Sequence, residues 1–292
     1  MEVIKYNTQL RLSSLSVTIG AFDGIHNGHK KLFQNLFFEG LKTAVITFST
    51  HPDYLLGKRE NEGYLDSFEE KLKTFESYKI DYVILLDKDV LNKTYDEFNI
   101  ILENIGVKRV VVGKEFRYGK GGFGNIQTLQ SKFQVEAVDL VIDGDSKMSS
   151  QVMRDLLSQG KVSDLIERGY EPFSISGVVD HGKKMGSKLG FPTANISFND
   201  KFTGLMKGVY KVKVNIGENS YMGVCNIGVN PSIDNLEKPR LEVNILDYDD
   251  DLYGKKIKVT FLKFIRPEIK FSSIEELKER VNKDIEEVKQ EG

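Results

Sequence analysis

The stretch VTIGAFDGIHNGHKKLF, residues 17–33, joins an apolar strand-like run to a helix-like run through a turn segment. The first run predicts a buried strand, and His26 and His29 fall on one face of the first turn of the helix that follows. The segment contains three glycines: Gly20, Gly24 and Gly28. Glycines let the backbone approach a ligand closely, and a helix N-terminus attracts anions. The stretch therefore predicts a strand–turn–helix unit whose histidines hold a phosphate group.

Two other interpretations of the histidine pair stay open on these residues. The glycines can serve an ordinary tight turn, with both histidines as polar surface residues. A metal site would need more ligands than His26 and His29, and no nearby cysteine or pair of carboxylates completes a set.

The first half of the chain alternates apolar runs with helical patterns. The apolar runs lie at 15–20, 43–48, 81–86, 109–113 and 135–142. The helical patterns lie near 28–39, 66–78, 94–105 and 124–133. Nearly continuous apolar runs are typical of strands buried on both faces, so the alternation predicts an α/β domain with a parallel sheet.

The second half follows a different pattern. From Phe173 to about Arg266, apolar and polar residues alternate without intervening helices, which predicts an antiparallel sheet closed into a small barrel. One final helix is indicated by apolar residues that share a helical face. These are Ile274, Leu277, Val281, Ile285 and Val288. Gly169 and Pro172 break the earlier rhythm, so we predict two domains, residues 1–170 and 171–292.

Composition narrows the class of protein. The chain has 292 residues, with 41 basic and 43 acidic side chains and a formal net charge of -2. Such a balance gives no global field for nucleic acid or an anionic membrane. No apolar run is long enough to span a bilayer and no leader-like start is present, so we expect a cytoplasmic protein. The single cysteine, Cys225, excludes an internal disulfide and is expected to be buried. The oligomeric state stays open.

A second glycine-rich stretch is GKKMGSKLGFPTANI, residues 182–196. It reads as a basic loop that runs into a strand, with Thr193 and Asn195 as oxygen ligands for phosphate-bound metal. The spacing differs from that of a P-loop. A solvated loop followed by a turn is the alternative.

The segment GAFDGIHNGH resembles the HxGH motif of nucleotidyltransferases in the form found in bacterial FAD synthetases. That family transfers an adenylyl group from ATP to a phosphate and releases pyrophosphate. The resemblance implies a Rossmann-like domain in which His26 and His29 bind phosphates and stabilise charge on the transferring group. It also implies ATP or phosphate contacts at Gly20, Phe22, Asp23, Gly24 and Gly28. In TFSTHPD, His51 either lines the nucleotide pocket or lies in a surface turn.

The string HGKKMGSKLGFPTAN resembles the riboflavin kinase motif that ends in GFPTAN, and later motifs follow in the same order at 225–232 and 240–271. The resemblance implies that Glu242 is the general base and that Thr193 and Asn195 bind Mg²⁺. It implies a flavin contact at Asn226. Contacts with ATP are implied for Gly182, Gly186, Gly190, Pro192, Thr193 and Asn195. The alternative for Glu242 is a charged residue on a solvated strand face.

Two strings depart from the family pattern. Where the family usually has ISSTxxR, this chain has MSSQVMR at residues 148–154. The implied phosphate ligands Ser149, Ser150 and Arg154 match that pattern. Gln151 replaces the threonine, and Val152 occupies a position that is a second arginine in many relatives. In the flavin-side string, Glu115 replaces the usual Asp or Asn. The neighbouring flavin contacts match the pattern: Phe116, Arg117 and Tyr118.

The resemblance covers nearly the whole chain and implies a bifunctional riboflavin kinase/FMN adenylyltransferase, which makes FMN from riboflavin and FAD from FMN with ATP and Mg²⁺. The alternative is a riboflavin kinase whose N-terminal domain is a weak or inactive nucleotide- or flavin-binding module. A flavin-binding regulator without turnover is a third hypothesis. The intact set of Thr193, Asn195 and Glu242 argues against the regulator, because a pure binder has no use for a base beside a phosphate loop.

Overall fold

The computed structural model describes residues 1–58, 63–139, 142–143, 146–181, 189–198, 204–231 and 237–290. The chain divides into two compact units, Met1–Ser150 and Gln151–Gly292. The division falls earlier than the predicted boundary at 170/171, because the segment between them packs with the second unit. Within that unit the Met206 amide donates to the Leu157 carbonyl at 2.9 Å.

The first unit is built on a parallel sheet, as predicted. Its strands are β1 (Glu2–Lys5), β2 (Leu15–Ile19), β3 (Lys42–Phe48), β4 (Tyr82–Leu86), β5 (Val107–Gly113) and β6 (Gln134–Val138). They lie in the order β1-β4-β3-β2-β5-β6, and each neighbouring pair is parallel. The sequence pattern missed β1, because this short edge strand is mostly exposed and carries no apolar run.

Helices connect these strands. They are α1 (Asn27–Gln34), α2 (Pro52–Leu55), α3 (Phe68–Ser77), α4 (Tyr95–Ile105) and α5 (Ile126–Gln130). A short antiparallel pair follows, β7 (Ile142–Asp143) with β8 (Ser146–Lys147). Helix α1 ends earlier than the pattern predicted, because the Asn35 side chain donates to the Lys31 carbonyl and competes with the next helical turn. Apolar clusters cover both faces of the sheet, which explains the near-continuous apolar strands.

The second unit begins with α6 (Ser150–Ser158) and α7 (Val162–Glu167) and continues into a closed antiparallel barrel, as predicted. Its strands are β9 (Ser174–Asp180), β10 (Ala194–Ser197), β11 (Gly208–Ile216), β12 (Asn219–Pro231), β13 (Glu237–Ile245) and β14 (Lys256–Arg266). They are paired in the order β10-β13-β12-β11-β14-β9. Cys225 is buried in this barrel, where burial raises the pKa of its thiol.

Helix α8 (Ile274–Gln290) packs on the barrel beside β12. Val288 is buried in a cluster with Val209 and Val224, and Ile285 packs against that cluster. Ile274, at the other end of the predicted apolar face, is exposed. Leu277 and Val281 between them line a cavity, so the middle of the apolar face forms part of a pocket wall.

Candidate active sites

The histidine loop of the first unit, residues 20–28, leaves β2 through an irregular turn. Phe22 and Gly24 both have positive φ angles, 48° and 69°. His26 is the N-cap of α1, and its Nδ1 accepts a hydrogen bond from the Gly28 amide at 3.1 Å. The His26 and His29 rings stack with centroids 3.8 Å apart and planes 21° apart. The loop and the first helical turn thus present two imidazoles side by side at a helix N-terminus.

Two of the loop glycines are required by aromatic rings of the loop itself. A Cβ on Gly20 would lie 3.0 Å from the Phe22 ring, and a Cβ on Gly28 would lie 2.9 Å from the His26 ring. The Phe22 ring in turn contacts His29, with centroids 5.2 Å apart. Larger residues at either glycine would displace the rings that hold the histidine pair.

His29 is set for a neutral imidazole. Its Nδ1 atom is buried and has no hydrogen-bond partner among the described residues. Burial lowers the pKa of His29 well below its usual 6.5, and the neighbouring His26 adds to that effect, while a backbone hydrogen bond with Gly24 opposes it.

Asp23 lies beneath the loop and is only 1% exposed. Its Oδ1 accepts a hydrogen bond from the Leu65 amide at 2.9 Å, so the carboxylate serves the protein backbone. The Ser150 hydroxyl donates to the Asp23 main-chain carbonyl, a contact within the first unit, of which Ser150 is the last residue. Ser149 precedes Ser150 and is half-buried.

Arg154 and the departing residue Gln151 lie on α6 in the second unit. The Arg154 Nε and NH1 atoms are buried. Gln151 is exposed, and its amide donates to Asp155 on the same helix at 2.8 Å. His51 caps α2, with its Nδ1 accepting from the Asp53 amide at 3.2 Å.

The predicted flavin string follows β5. Glu115 and Arg117 are exposed, whereas Phe116 is half-buried. Tyr118 is buried, and its hydroxyl donates to the Asn99 side chain at 2.9 Å. The Phe116 and Tyr118 rings stack with centroids 5.7 Å apart. Tyr118 therefore anchors the string to the domain core, and the first three residues are left at its surface.

The barrel places three predicted residues in one row. Asn195 on β10 and Asn226 on β12 are both register partners of Glu242 on β13. Directly paired residues share a face of the sheet, so their side chains project to the same side. All three line a cavity of about 270 Å³, together with Thr193. The row thus presents a carboxylate flanked by two amides.

A second cavity of the barrel, about 370 Å³, meets the first at Thr193. Pro192 also lines it, and the Pro192 carbonyl accepts a hydrogen bond from the Asn244 amide at 2.7 Å. Gly190 has a φ of 98°, a conformation that favours glycine. Gly182 and Gly186 lie outside the described residues.

A buried ion pair that the sequence pattern missed, Arg266 with Asp284, lines the 270 Å³ cavity together with Glu242. The Arg266 NH2 atom contacts Asp284 Oδ2 at 2.7 Å, and its Nε also donates to that carboxylate. The Phe271 ring lies over the guanidinium, 5.8 Å from its carbon. Asp284 itself was the available signal, because its spacing places an acid on the apolar face of α8, where a buried charge needs a partner.

The candidate metal ligands of the barrel are two oxygen donors, Thr193 and Asn195. No group of three or more His, Cys, Asp or Glu side chains that could hold a metal ion occurs among the described residues. Thr193 and Asn195 supply a hydroxyl and an amide oxygen to one cavity. Mg²⁺ prefers oxygen ligands and is usually held by few protein groups together with substrate phosphates, so these two residues fit it.

No helix in the part of the chain that the structure describes is long and apolar enough to cross a membrane.

Comparisons with known proteins also assign the two halves of the chain to two different families. The FAD synthetase family model matches residues 8–152, and the riboflavin kinase family model matches residues 170–291. The fold and these matches define an enzyme class with a nucleotidyltransferase domain followed by a flavokinase barrel.

Curated relatives match both parts at once. A bifunctional riboflavin kinase/FMN adenylyltransferase of Buchnera aphidicola subsp. Schizaphis graminum is 38% identical, over 95% of this chain and 94% of the relative. The protein of that name from Bacillus subtilis is 34% identical over 93% of this chain and 90% of the relative. A crystal structure from Streptococcus pneumoniae, described as a macrolide-efflux protein, matches with a TM-score of 0.89 at 28% identity and covers 98% of each chain. The chain belongs to the bifunctional riboflavin kinase/FMN adenylyltransferase family.

Proposed function

We propose that the chain phosphorylates riboflavin to FMN and then adenylylates FMN to FAD, using ATP in both reactions. The observation that carries this proposal is that two family models, FAD synthetase and riboflavin kinase, match separate parts of one chain. Curated relatives named for both activities span more than nine-tenths of it, as their coverage of 95% and 93% shows.

We assign the kinase reaction to the cavity lined by Glu242. The Glu242 carboxylate accepts the proton of the riboflavin hydroxyl as that oxygen attacks the γ-phosphorus of ATP, and the bond from the γ-phosphorus to the β-phosphate oxygen breaks to release ADP. Thr193 lines both barrel cavities, so flavin in one and nucleotide in the other would meet beside it. Asn226, in the row with Glu242, is assigned to the flavin. Thr193 and Asn195 would hold Mg²⁺, which would offset the negative charge of the phosphate oxygens.

We assign adenylyl transfer to the histidine loop. A phosphate oxygen of FMN attacks the α-phosphorus of ATP, and the bond to the β-phosphate oxygen breaks to release pyrophosphate. His26 and His29 orient the phosphates at the N-terminus of α1, where the helix dipole favours negative charge. Ser149 and Ser150 of the same unit are assigned to the phosphates as well, whereas a phosphate contact of Arg154 rests on the family motif alone. Exposed Glu115 and Arg117, with Phe116, are assigned to the flavin.

The kinase-only alternative was motivated by Gln151, Val152 and Glu115. The match of residues 8–152 to the FAD synthetase model and the bifunctional relatives favour the two-activity proposal. We further propose a cytoplasmic location and no nucleic-acid partner.

The test supplies purified protein with ATP and Mg²⁺ and follows flavins by chromatography. With riboflavin we expect FMN and then FAD, and with FMN we expect FAD and pyrophosphate. FMN without FAD from either substrate would favour the kinase-only alternative. Flavin binding without any product would favour the regulator.

A further inference from the structure

Three charged residues contact one another at the histidine loop, and we name Asp23, Asp66 and Lys71 the anchor cluster; Asp23 and Lys71 are buried and Asp66 is half-buried. Asp23 belongs to the loop, Asp66 precedes α3, and Lys71 lies on α3. Asp23 is 1% exposed and Lys71 is 4% exposed. Lysine is almost never this deeply buried unless its charge is paired. The proposed reactions have used neither Asp66 nor Lys71.

Two hydrogen bonds of the anchor cluster connect the loop with the segment before α3. Asp23 Oδ1 accepts from the Leu65 amide at 2.9 Å, and Asp66 Oδ2 accepts from the Ile25 amide at 2.8 Å. Each segment thus supplies a carboxylate to the backbone of the other. Charge-assisted hydrogen bonds to backbone amides are among the strong ones, so the pair restrains residues 23–25 directly before His26.

Lys71 interacts with both carboxylates and also with the loop backbone at Ala21. Its Nζ lies 3.4 Å from the Ala21 carbonyl, which also accepts from the Thr47 hydroxyl at 3.3 Å. Burial lowers the pKa of Lys71, while Asp23 and Asp66 act to raise it. The buried Asp23 carboxylate, the half-buried Asp66 carboxylate and the buried Lys71 ammonium therefore depend on one another for charge compensation.

We propose that Asp66 and Lys71 are positioning residues for adenylyl transfer, which hold the loop so that His26 and His29 keep their stacked arrangement at the phosphates. This inference rests on the proposed adenylyltransferase function. Neither side chain needs to touch substrate, because both act through the backbone at Ala21 and Ile25. Misplacement of catalytic groups by about 1 Å can cost roughly a hundredfold in rate.

The charges of the anchor cluster predict how the rate of FAD formation depends on pH. Burial raises the pKa of Asp66 to about 6, with Asp23 and Glu70 adding to the rise, whereas the Ile25 amide and Lys71 lower it. Lys71 also faces His29. Removal of the Lys71 ammonium therefore raises the pKa of Asp66 further, and Asp66 becomes protonated at a higher pH.

The experiment compares Lys71→Met and Asp66→Asn with the wild-type chain. Lys73→Met is the matched control, since Lys73 lies on the same helix but pairs at the surface with Glu69 and Glu70. Each protein is assayed for FAD from FMN and, as an internal test of folding, for FMN from riboflavin. Both rates are measured from pH 5 to 8. Hydrogen exchange of the peptide covering residues 20–28 is followed without substrates.

For Lys71→Met we expect FAD formation to fall roughly tenfold to a hundredfold, with FMN formation within about twofold of wild type. The acidic limb of the FAD profile should move to higher pH in this variant and disappear in Asp66→Asn, and loop exchange should accelerate in both. Lys73→Met should match wild type in every measurement.

Unchanged FAD formation and an unshifted acidic limb in both cluster variants would overturn the proposal, as would an equal fall of both activities. If the wild-type chain forms no FAD, the adenylyltransferase proposal fails by itself. Loop exchange then still tests the anchor cluster, and exchange in Lys71→Met equal to that in wild type overturns it.

Discussion

In the first unit, His26 and His29 lie on a turn with two positive φ angles and on the first turn of a helix. In the barrel, Glu242 lies inside a strand that is paired on both sides, with Asn195 and Asn226 as its register partners. The backbone ladder alone fixes the barrel row. The histidine loop has no such ladder; instead, the Asp23 carboxylate accepts a hydrogen bond from the Leu65 amide and the Asp66 carboxylate accepts one from the Ile25 amide.

This difference indicates where each site is vulnerable. Strand register tolerates changes in surrounding side chains, because backbone hydrogen bonds carry it. An irregular loop held by buried charges depends on a few side chains and on their protonation. We therefore expect substitutions of supporting side chains to lower activity less at the barrel row than at the histidine loop.

The largest expected effect is that of Glu242→Gln. Loss of a general base typically costs about 10²-fold to 10⁴-fold, so FMN formation from riboflavin should fall by that range. FAD formation from supplied FMN should stay at the wild-type rate, because the histidine loop is unaltered. Initial rates with each flavin check this, and a fall in both reactions would contradict separate sites.

Asp284→Asn tests the wall of the kinase cavity. The variant leaves the buried Arg266 guanidinium without its carboxylate, and breaking a buried ion pair costs about 3 to 5 kcal/mol. The free energy of unfolding of the barrel, measured in urea, should fall by about that amount. Glu287→Gln is the control on the same helix, because its pair with Lys263 is at the surface and should be worth about 0 to 1 kcal/mol. Equal effects of the two substitutions would be the contrary result.

His29→Ala tests the histidine pair. Removing one preorganised donor from a site that stabilises developing charge typically costs about 10²-fold to 10³-fold, which is the fall expected in FAD formation. FMN formation should be unchanged. An equivalent loss in Asn35→Ala, at the end of the same helix, would mean that α1 and not the imidazole matters.

The smallest expected effect is a change with pH in the free energy of unfolding of the first unit. The unfolded chain binds a proton at His29 near the usual pKa of 6.5, whereas the folded chain does so only at lower pH. Stability from this group is therefore full above pH 6.5 and falls as pH is lowered, by at most about 1.4 kcal/mol per pH unit.

Asp66 acts in the opposite direction. Its pKa is raised from 3.8 to about 6, so folding is favoured by protonation and the benefit is lost as pH rises through about 6. Urea unfolding at pH 5 and pH 7.5 separates the two groups. Compared with wild type, the free energy of unfolding of His29→Gln should be relatively higher at pH 5 than at pH 7.5, and that of Asp66→Asn relatively higher at pH 7.5 than at pH 5. Identical pH dependence in all three proteins would refute both assignments.

The sequence pattern predicted the parallel sheet and the barrel, because apolar periodicity is a local signal. The two glycine-rich motifs are local as well, and the proposed positions of both sites rest on them. It did not predict the anchor cluster. Asp66 bonds to the backbone of Ile25, and a side chain that serves a distant amide leaves no periodicity in the sequence. The pairing of Arg266 with Asp284 is equally non-local. Asp23 and Tyr118 are predicted to contact ligands, and the structure adds that each also bonds within the domain, Asp23 to the Leu65 amide and Tyr118 to Asn99.

The central claim is that one chain carries two independent sites, and mixing two variants tests it most directly. The Glu242→Gln and His29→Ala proteins are incubated together with riboflavin, ATP and Mg²⁺, and FAD is measured by chromatography. Neither protein alone should convert riboflavin to FAD at an appreciable rate. The mixture should do so, because His29→Ala supplies FMN and Glu242→Gln adenylylates it. Failure of the mixture, together with failure of Glu242→Gln to use supplied FMN, would contradict the account.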